Sequence, residues 1–214
     1  MRRWIFSVTL TLSLNASAYT AKSFYPHEQQ YLVPDSVTTA QLEVKVMQIR
    51  GFDTESLKKL QASLALLEKV VNSEEFKNRI INFKNNKGQR AFASNNGKTN
   101  EQIYEIFMDG KEILQPNTPG EMNFWLSLYY RRFSRVVGYT SPSTNVISIN
   151  WKYFRYYEIH EVAGNLGHEW VHKIGFDHRS ASEHDSAPYA IGYIIEELGK
   201  KFSTTSRPQT IAQR

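Results

Sequence analysis

The chain has 214 residues, a formal charge of +5 and no cysteine. The missing cysteines exclude a disulfide scaffold and a lipoprotein anchor, so an exported form must be held together without covalent cross-links. The mild positive charge comes without an evident Lys/Arg cluster interleaved with aromatics, which argues against nucleic acid as a partner.

The N-terminus reads as a secretory signal peptide over residues 1–18. Met1-Arg2-Arg3 is a positive opening, residues 4–14 are apolar apart from Ser and Thr, and Ala16-Ser17-Ala18 is an A-x-A cleavage site. An apolar run of roughly 11 residues is too short for a bilayer that needs about 20. Cleavage after Ala18 leaves roughly 196 residues with a charge of about +3, enough for one domain with a sizeable core. The mature protein is expected to be secreted or periplasmic, monomeric and without stable membrane insertion. Residues 19–40 read as an extended lead-in or a short pro-segment, in which His27, Glu28 or Asp35 are candidate blocking ligands for a metal.

Residues 41–202 read as a single domain. Leu42, Val44 and Val46 alternate with polar residues over 42–49, as in a strand with one buried face. After a turn at Gly51-Phe52-Asp53, Thr54 is the expected cap of a helix carrying Leu57, Leu60, Leu64, Leu67, Val70 and Val71 through Asn72. A shorter helix over 73–82 places Phe76, Ile80 and Ile81 inward. Residues 83–98 form a long polar loop with turn signals on either side of Phe92, and such loops are often functional or mobile. Thr99 and Gln102 form a capping box for a helix over 99–108, which Asp109-Gly110 ends.

A second strand spans 122–130, with Met122, Phe124, Leu126, Leu128 and Tyr130 on one face. Two short strand-like runs, 136–139 and 145–151, flank a turn at 141–144. An edge for an extended peptide substrate, bound by strand addition, is expected somewhere within residues 136–150. The aromatics Trp151, Tyr153, Phe154, Tyr156 and Tyr157 read as packing and rim residues. A helix over 157–173 follows, whose small residues Ala163, Gly164 and Gly167 predict close packing on a sheet. A last helix covers 189–202, with Ile191, Ile194, Ile195 and Leu198 inward, and 203–214 is a polar tail. The fold expected is α+β: a small twisted mixed sheet with the helix over 157–173 packed on it, and a short C-terminal subdomain from 176.

The chemistry is concentrated in His168-Glu169-Trp170-Val171-His172-Lys173-Ile174-Gly175-Phe176-Asp177-His178, which reads H-E-x-x-H-x-x-G-x-x-H. On a helix, His168 and His172 leave the same face, so one Zn2+ can take both. Glu169 stands where zinc hydrolases with this motif carry their general base. Gly175 falls where the helix must end, letting the chain turn back and bring in His178 as third ligand. Three ligands leave a fourth position for water, as in catalytic rather than structural sites. At this composition the full pattern is expected by chance on the order of 10⁻⁵ times per chain. His184, Asp185 and Asp177 are rival third ligands, and Asp185 is alternatively a carboxylate that orients a ligand histidine. His160 lies about 12 Å along the axis, too far to be a ligand.

This pattern resembles the zinc-binding signature of the metzincin metallopeptidases. It is most similar to secreted bacterial proteins in which a stretch like Glu161-Val162-Ala163-Gly164-Asn165-Leu166 precedes HEWxHKxGF and a Ser-x-Pro-Tyr segment, here Ser186-Ala187-Pro188-Tyr189, follows. The resemblance covers about residues 136–198. It implies zinc held by His168, His172 and His178, with Glu169 as general base and a peptide or protein as substrate. The methionine turn of that family is missing: Met1, Met47, Met108 and Met122 all precede the motif. The 186–189 segment is the candidate replacement. Tyr189 has two readings, a donor to developing negative charge or a packing residue under the metal. Two other functions share the motif: a zinc-dependent amidase acting on the cell envelope, and a non-catalytic zinc-containing binding module.

Overall fold

The computed structural model describes residues 42–114, 118–141, 143–180 and 183–205. The expected leader, the lead-in with His27, Glu28 and Asp35, and residues 206–214 lie outside the described residues.

Strand β1 (Glu43–Arg50) buries Val44 and Val46 as the alternation predicts. Helix α1 (Thr54–Val71) buries Leu60, Leu64, Leu67, Val70 and Val71. Its cap is Asp53 rather than Thr54. The Asp53 carboxylate accepts from Ser56 N at 2.8 Å and Ser56 Oγ at 2.7 Å, and a negative charge suits the positive end of a helix. Helix α2 (Glu74–Ile81) buries Phe76 and Ile80 but leaves Ile81 half-exposed, one step round from the core stripe. Helix α3 (Asn100–Asp109) opens with the Thr99–Gln102 capping box and ends at Gly110, which is left-handed at φ 69°. Strand β2 (Glu121–Tyr129) buries Met122, Phe124 and Leu126. Tyr130 lies past its end and is exposed. Strands β3 (Gly138–Thr140) and β4 (Val146–Asn150) are the expected pair, each shorter than its sequence signal. Short α4 (Trp151–Phe154) leads to α5 (Ile159–Lys173), and α6 (Ala187–Thr205) closes the fold. Helix α6 runs past the expected boundary at Phe202, and Ser203 Oγ and Thr204 Oγ1 there hydrogen-bond back to the carbonyls of Gly199 and Lys200.

The architecture is α+β, with a mixed four-stranded sheet in the order β1-β2-β4-β3. β1–β2 and β2–β4 are parallel, and β3 pairs antiparallel to β4 at the sheet's edge. Helix α5 sits between the sheet and α6, its Trp170 ring 5.7 Å from Phe124 of β2. Gly164 and Gly167 of α5 face α6 rather than the sheet. A Cβ at Gly167 would stand 2.2 Å from Ile195 Cδ1, and one at Gly164 2.8 Å from Gly192 O. Glycine on both helices therefore sets their close approach. No helix among the described residues is long and apolar enough to cross a membrane.

Asn72 ties α1 to β1. Its Oδ1 accepts from Leu42 N at 2.7 Å, and its Nδ2 donates to Leu42 O and Glu68 O. Asn72→Ala is expected to destabilise the fold by about 1–3 kcal/mol, read by denaturant unfolding, because it leaves buried backbone groups unpaired.

Candidate metal centre and active-site cleft

The site is built at the C-terminal end of α5. The helix stops at Ile174, and Gly175 takes φ 102°. Gly175 N donates to His172 O and Phe176 N to Val171 O, both at 3.1 Å, the paired bonds of a Schellman ending. The chain reverses there and brings His178 back over the last turn. The rings of His168, His172 and His178 lie with centroids 5.0–5.4 Å apart, and one nitrogen from each falls within 4.8 Å of the others.

The donor set fits a zinc ion. His168 Nε2 and His172 Nε2 are 3.2 Å apart. Zn–N bonds of about 2.0–2.1 Å at tetrahedral angles place ligand nitrogens roughly 3.3–3.4 Å apart. The other nitrogen of His172 is occupied: Nδ1 donates to Phe176 O at 2.9 Å and lies 3.0 Å from Asp177 Oδ1. That bond keeps the proton on Nδ1 and leaves the Nε2 lone pair for a metal. His168 is held in the same way by the Pro188 carbonyl. His178 Nδ1 is buried with no hydrogen-bond partner. Burial, then the neighbouring histidines, push the His168 pKa down to about 3. Burial also lowers that of His172, so both bases are neutral and ready to ligate at pH 7.

Glu169 is only 2% exposed, and burial raises its pKa to about 7. Its Oε2 accepts the Thr140 hydroxyl at 2.8 Å, and the Thr140 backbone N–H adds a second bond. Oε1 lies beside Gly138 of β3, where a Cβ would stand 3.1 Å away and also 2.7 Å from Asn165 Oδ1. Gly138 therefore leaves the carboxylate open to a cleft of about 780 Å³. Edge strand β3 forms one wall and α6 the other, with Ile113 near one end. The Tyr189 ring packs 4.6 Å from both His168 and His178. The 186–189 segment thus forms the floor under the histidines, supplying a carbonyl and a ring.

The rivals for third ligand stand elsewhere. Asp185 Oδ2 accepts from Asn86 N, so it orients a loop rather than a histidine. His184 is exposed and meets the Tyr193 hydroxyl at 3.3 Å. Asp177 is the carboxylate that contacts a ligand histidine, a role the sequence reading gave to Asp185. His160 packs against Gly199 of α6, away from the histidine cluster. The polar 83–98 loop is a strap. Phe92 is buried against Phe83, Ala93 N donates to Asp185 O, Ser94 Oγ to Glu183, and Asn96 Nδ2 to Gly175 O. It pins the segment that carries His178.

Two features had no clear sequence signal. Thr140 is one, since only tertiary structure places it on Glu169. The other is the buried pair Lys173–Glu112 at 2.8 Å, with Lys173 also donating to Asn123 O at 2.6 Å beneath the ring of Trp125. Lys173 is in the motif, but nothing nearby in sequence names Glu112.

Compared with models of known families, with curated proteins and with solved structures, the chain gives no match. The assignment rests on the residues and their geometry.

These shifts fix how the metal-free protein responds to pH. His168 and His172 stay neutral in the folded state, while the unfolded chain takes up protons below about 6.5, so stability falls as pH drops below that value. Glu169 does the opposite: the unfolded chain ionises above about 4.5 and the folded group only near 7, so stability falls as pH rises through this window. Metal-free Glu169→Gln should therefore gain on the wild type between pH 4.5 and 7, by up to about 3 kcal/mol. Thermal melts of chelator-treated protein across this range check it; equal pH profiles for the two proteins would contradict the buried carboxylate.

Proposed function

We propose that this protein is a zinc-dependent, metzincin-like endopeptidase acting outside the cytoplasm. The observation that carries the reading is the convergence of three imidazoles and one buried carboxylate on a cleft walled by a sheet edge. A site that served stability alone would not need Glu169 buried against the opening, with one oxygen tied back and the other free. The residues that would hold Zn2+ are His168, His172 and His178. When bound, the ion lowers the pKa of a water and polarises the scissile carbonyl.

The remaining steps belong to the chain. The outer edge of β3 offers backbone groups to a peptide lying extended along the cleft. Thr140 fixes one oxygen of Glu169, so the other takes the proton from the attacking water. The same carboxyl then returns the proton to the leaving amine. Tyr189 holds the His168 and His178 rings in place, and in this reading its hydroxyl also donates to the oxygen that gains charge.

Glu169→Gln should retain zinc and lose turnover of a peptide library by roughly 10²- to 10⁴-fold, measured by mass spectrometry of cleavage products. Unchanged cleavage would overturn the role of Glu169. Thr140→Val should lower kcat by roughly 10- to 100-fold with little change in KM, and Thr140→Ser should restore it. Tyr189→Phe keeps the ring and removes the hydroxyl, so a fall in kcat with zinc retained would assign the donor role.

A further inference from the structure

Residues 130–157 contain five Lys or Arg and no Asp or Glu. In sequence they form two separate runs, Tyr130-Arg131-Arg132-Phe133-Ser134-Arg135 and Trp151-Lys152-Tyr153-Phe154-Arg155-Tyr156. The fold joins them into one surface, so the impression that no basic cluster with interleaved aromatics exists is corrected here. The join is a built one. Asn150 is fully buried; its Oδ1 accepts from Arg131 N, and its Nδ2 donates to Arg131 O and Val136 O. Lys152 Nζ and the Tyr153 hydroxyl both donate to Ser134 O, at 3.1 and 2.9 Å. The 131–136 loop is thus clamped to the start of α4.

What the clamp presents outward is apolar at the tip and cationic around it. Phe133 is 89% exposed, Tyr156 71% and Tyr130 58%. Arg132 lies over the Phe133 ring, and Arg155 over Trp151 and Tyr156 at 4.7 and 4.4 Å. Among the described residues Arg131, Arg132, Arg135 and Arg155 make no ion pair, whereas Arg79 and Arg90 do. A projecting phenylalanine exposed to water is unfavourable, and uncompensated arginines on one face repel one another. A single environment relieves both: an apolar layer beneath a negatively charged one.

We infer that the surface formed by the 130–136 loop and residues 151–156 docks this protein on an anionic lipid bilayer, with Phe133 inserted at the headgroup boundary. Tyr130, Trp151 and Tyr156 have the amphipathic rings that settle at such a boundary. The arginines meet the lipid phosphates. A nucleic acid would instead call for a groove with free ring faces, but here Tyr130 stands edge-on to Trp151 and Arg155 covers Trp151. The same loop runs straight into β3, and Arg135 and Val136 line the cleft. Docking in this way holds the cleft mouth at the membrane surface, where the accessible chains are those anchored in or lying on the bilayer. The inference does not depend on the zinc reading.

The test uses residues 19–214, which keep every described residue and omit the apolar leader. Co-sedimentation is measured with vesicles of equal parts phosphatidylglycerol and phosphatidylcholine, with pure phosphatidylcholine vesicles, and with a single-stranded DNA oligonucleotide as competitor. Binding is expected to the mixed vesicles, to weaken as salt is raised, and to be lost on pure phosphatidylcholine. Each of Arg131→Ala, Arg132→Ala and Arg135→Ala should lower partitioning roughly fivefold, and Phe133→Ser roughly tenfold or more. Phe133→Trp should retain binding, and its fluorescence should be quenched by brominated lipid. Variants are compared only where the thermal melt matches the parent. Absence of sedimentation with mixed vesicles at low salt, binding indifferent to the loop variants, or displacement from vesicles by the oligonucleotide would each overturn the proposal.

Discussion

The structure turns on how α5 ends. Over its last two turns the helix buries Glu169, Trp170 and Lys173 while presenting His168 and His172, and polar groups so placed are costly without partners. Each has one. Glu169 is held by Thr140, His168 by the Pro188 carbonyl, His172 by Phe176 and Asp177, and Lys173 by Glu112 and Asn123. These partners come from β3, α6, the chain after the helix and the neighbourhood of β2, so satisfying one helix end fixes most of the surrounding elements.

Gly175 makes that arrangement reachable. A left-handed residue at this point ends the helix and turns the chain through the Schellman bonds, so His178 arrives beside His168 and His172 on the helix. The strap of residues 83–98 then keeps the returning segment in place through Asp185, Glu183 and Gly175. The same turn keeps His168 and His172 uncharged, because burial and a neighbouring imidazole both disfavour their protonation. Helix packing and metal readiness are here one consequence of burial.

The sheet edge serves two surfaces. On its inner side β3 supplies Thr140 and Gly138 to the carboxylate, one giving hydrogen bonds and the other giving room. At its start it continues the arginine-rich loop that Asn150 clamps to α4. The wall of the cleft and the basic, aromatic face are therefore separated by only a few residues of chain.

The sequence by itself determined the local features, because they depend on residues close along the chain. The i, i+4 spacing of His168 and His172, the helix-ending Gly175, the Thr99–Gln102 box and the alternation of β1 and β2 all appear where periodicity and capping chemistry put them. Only the tertiary structure decided the rest. It selected Asp53 over Thr54 as a cap, turned the glycines of α5 toward α6 rather than the sheet, and made Asp177 rather than Asp185 the partner of a ligand histidine. It also paired Lys173 with Glu112 and joined two basic runs into one face. Each of these depends on which distant segment lies across from a side chain, and a hydrogen bond or ion pair between segments leaves no periodic trace in either one.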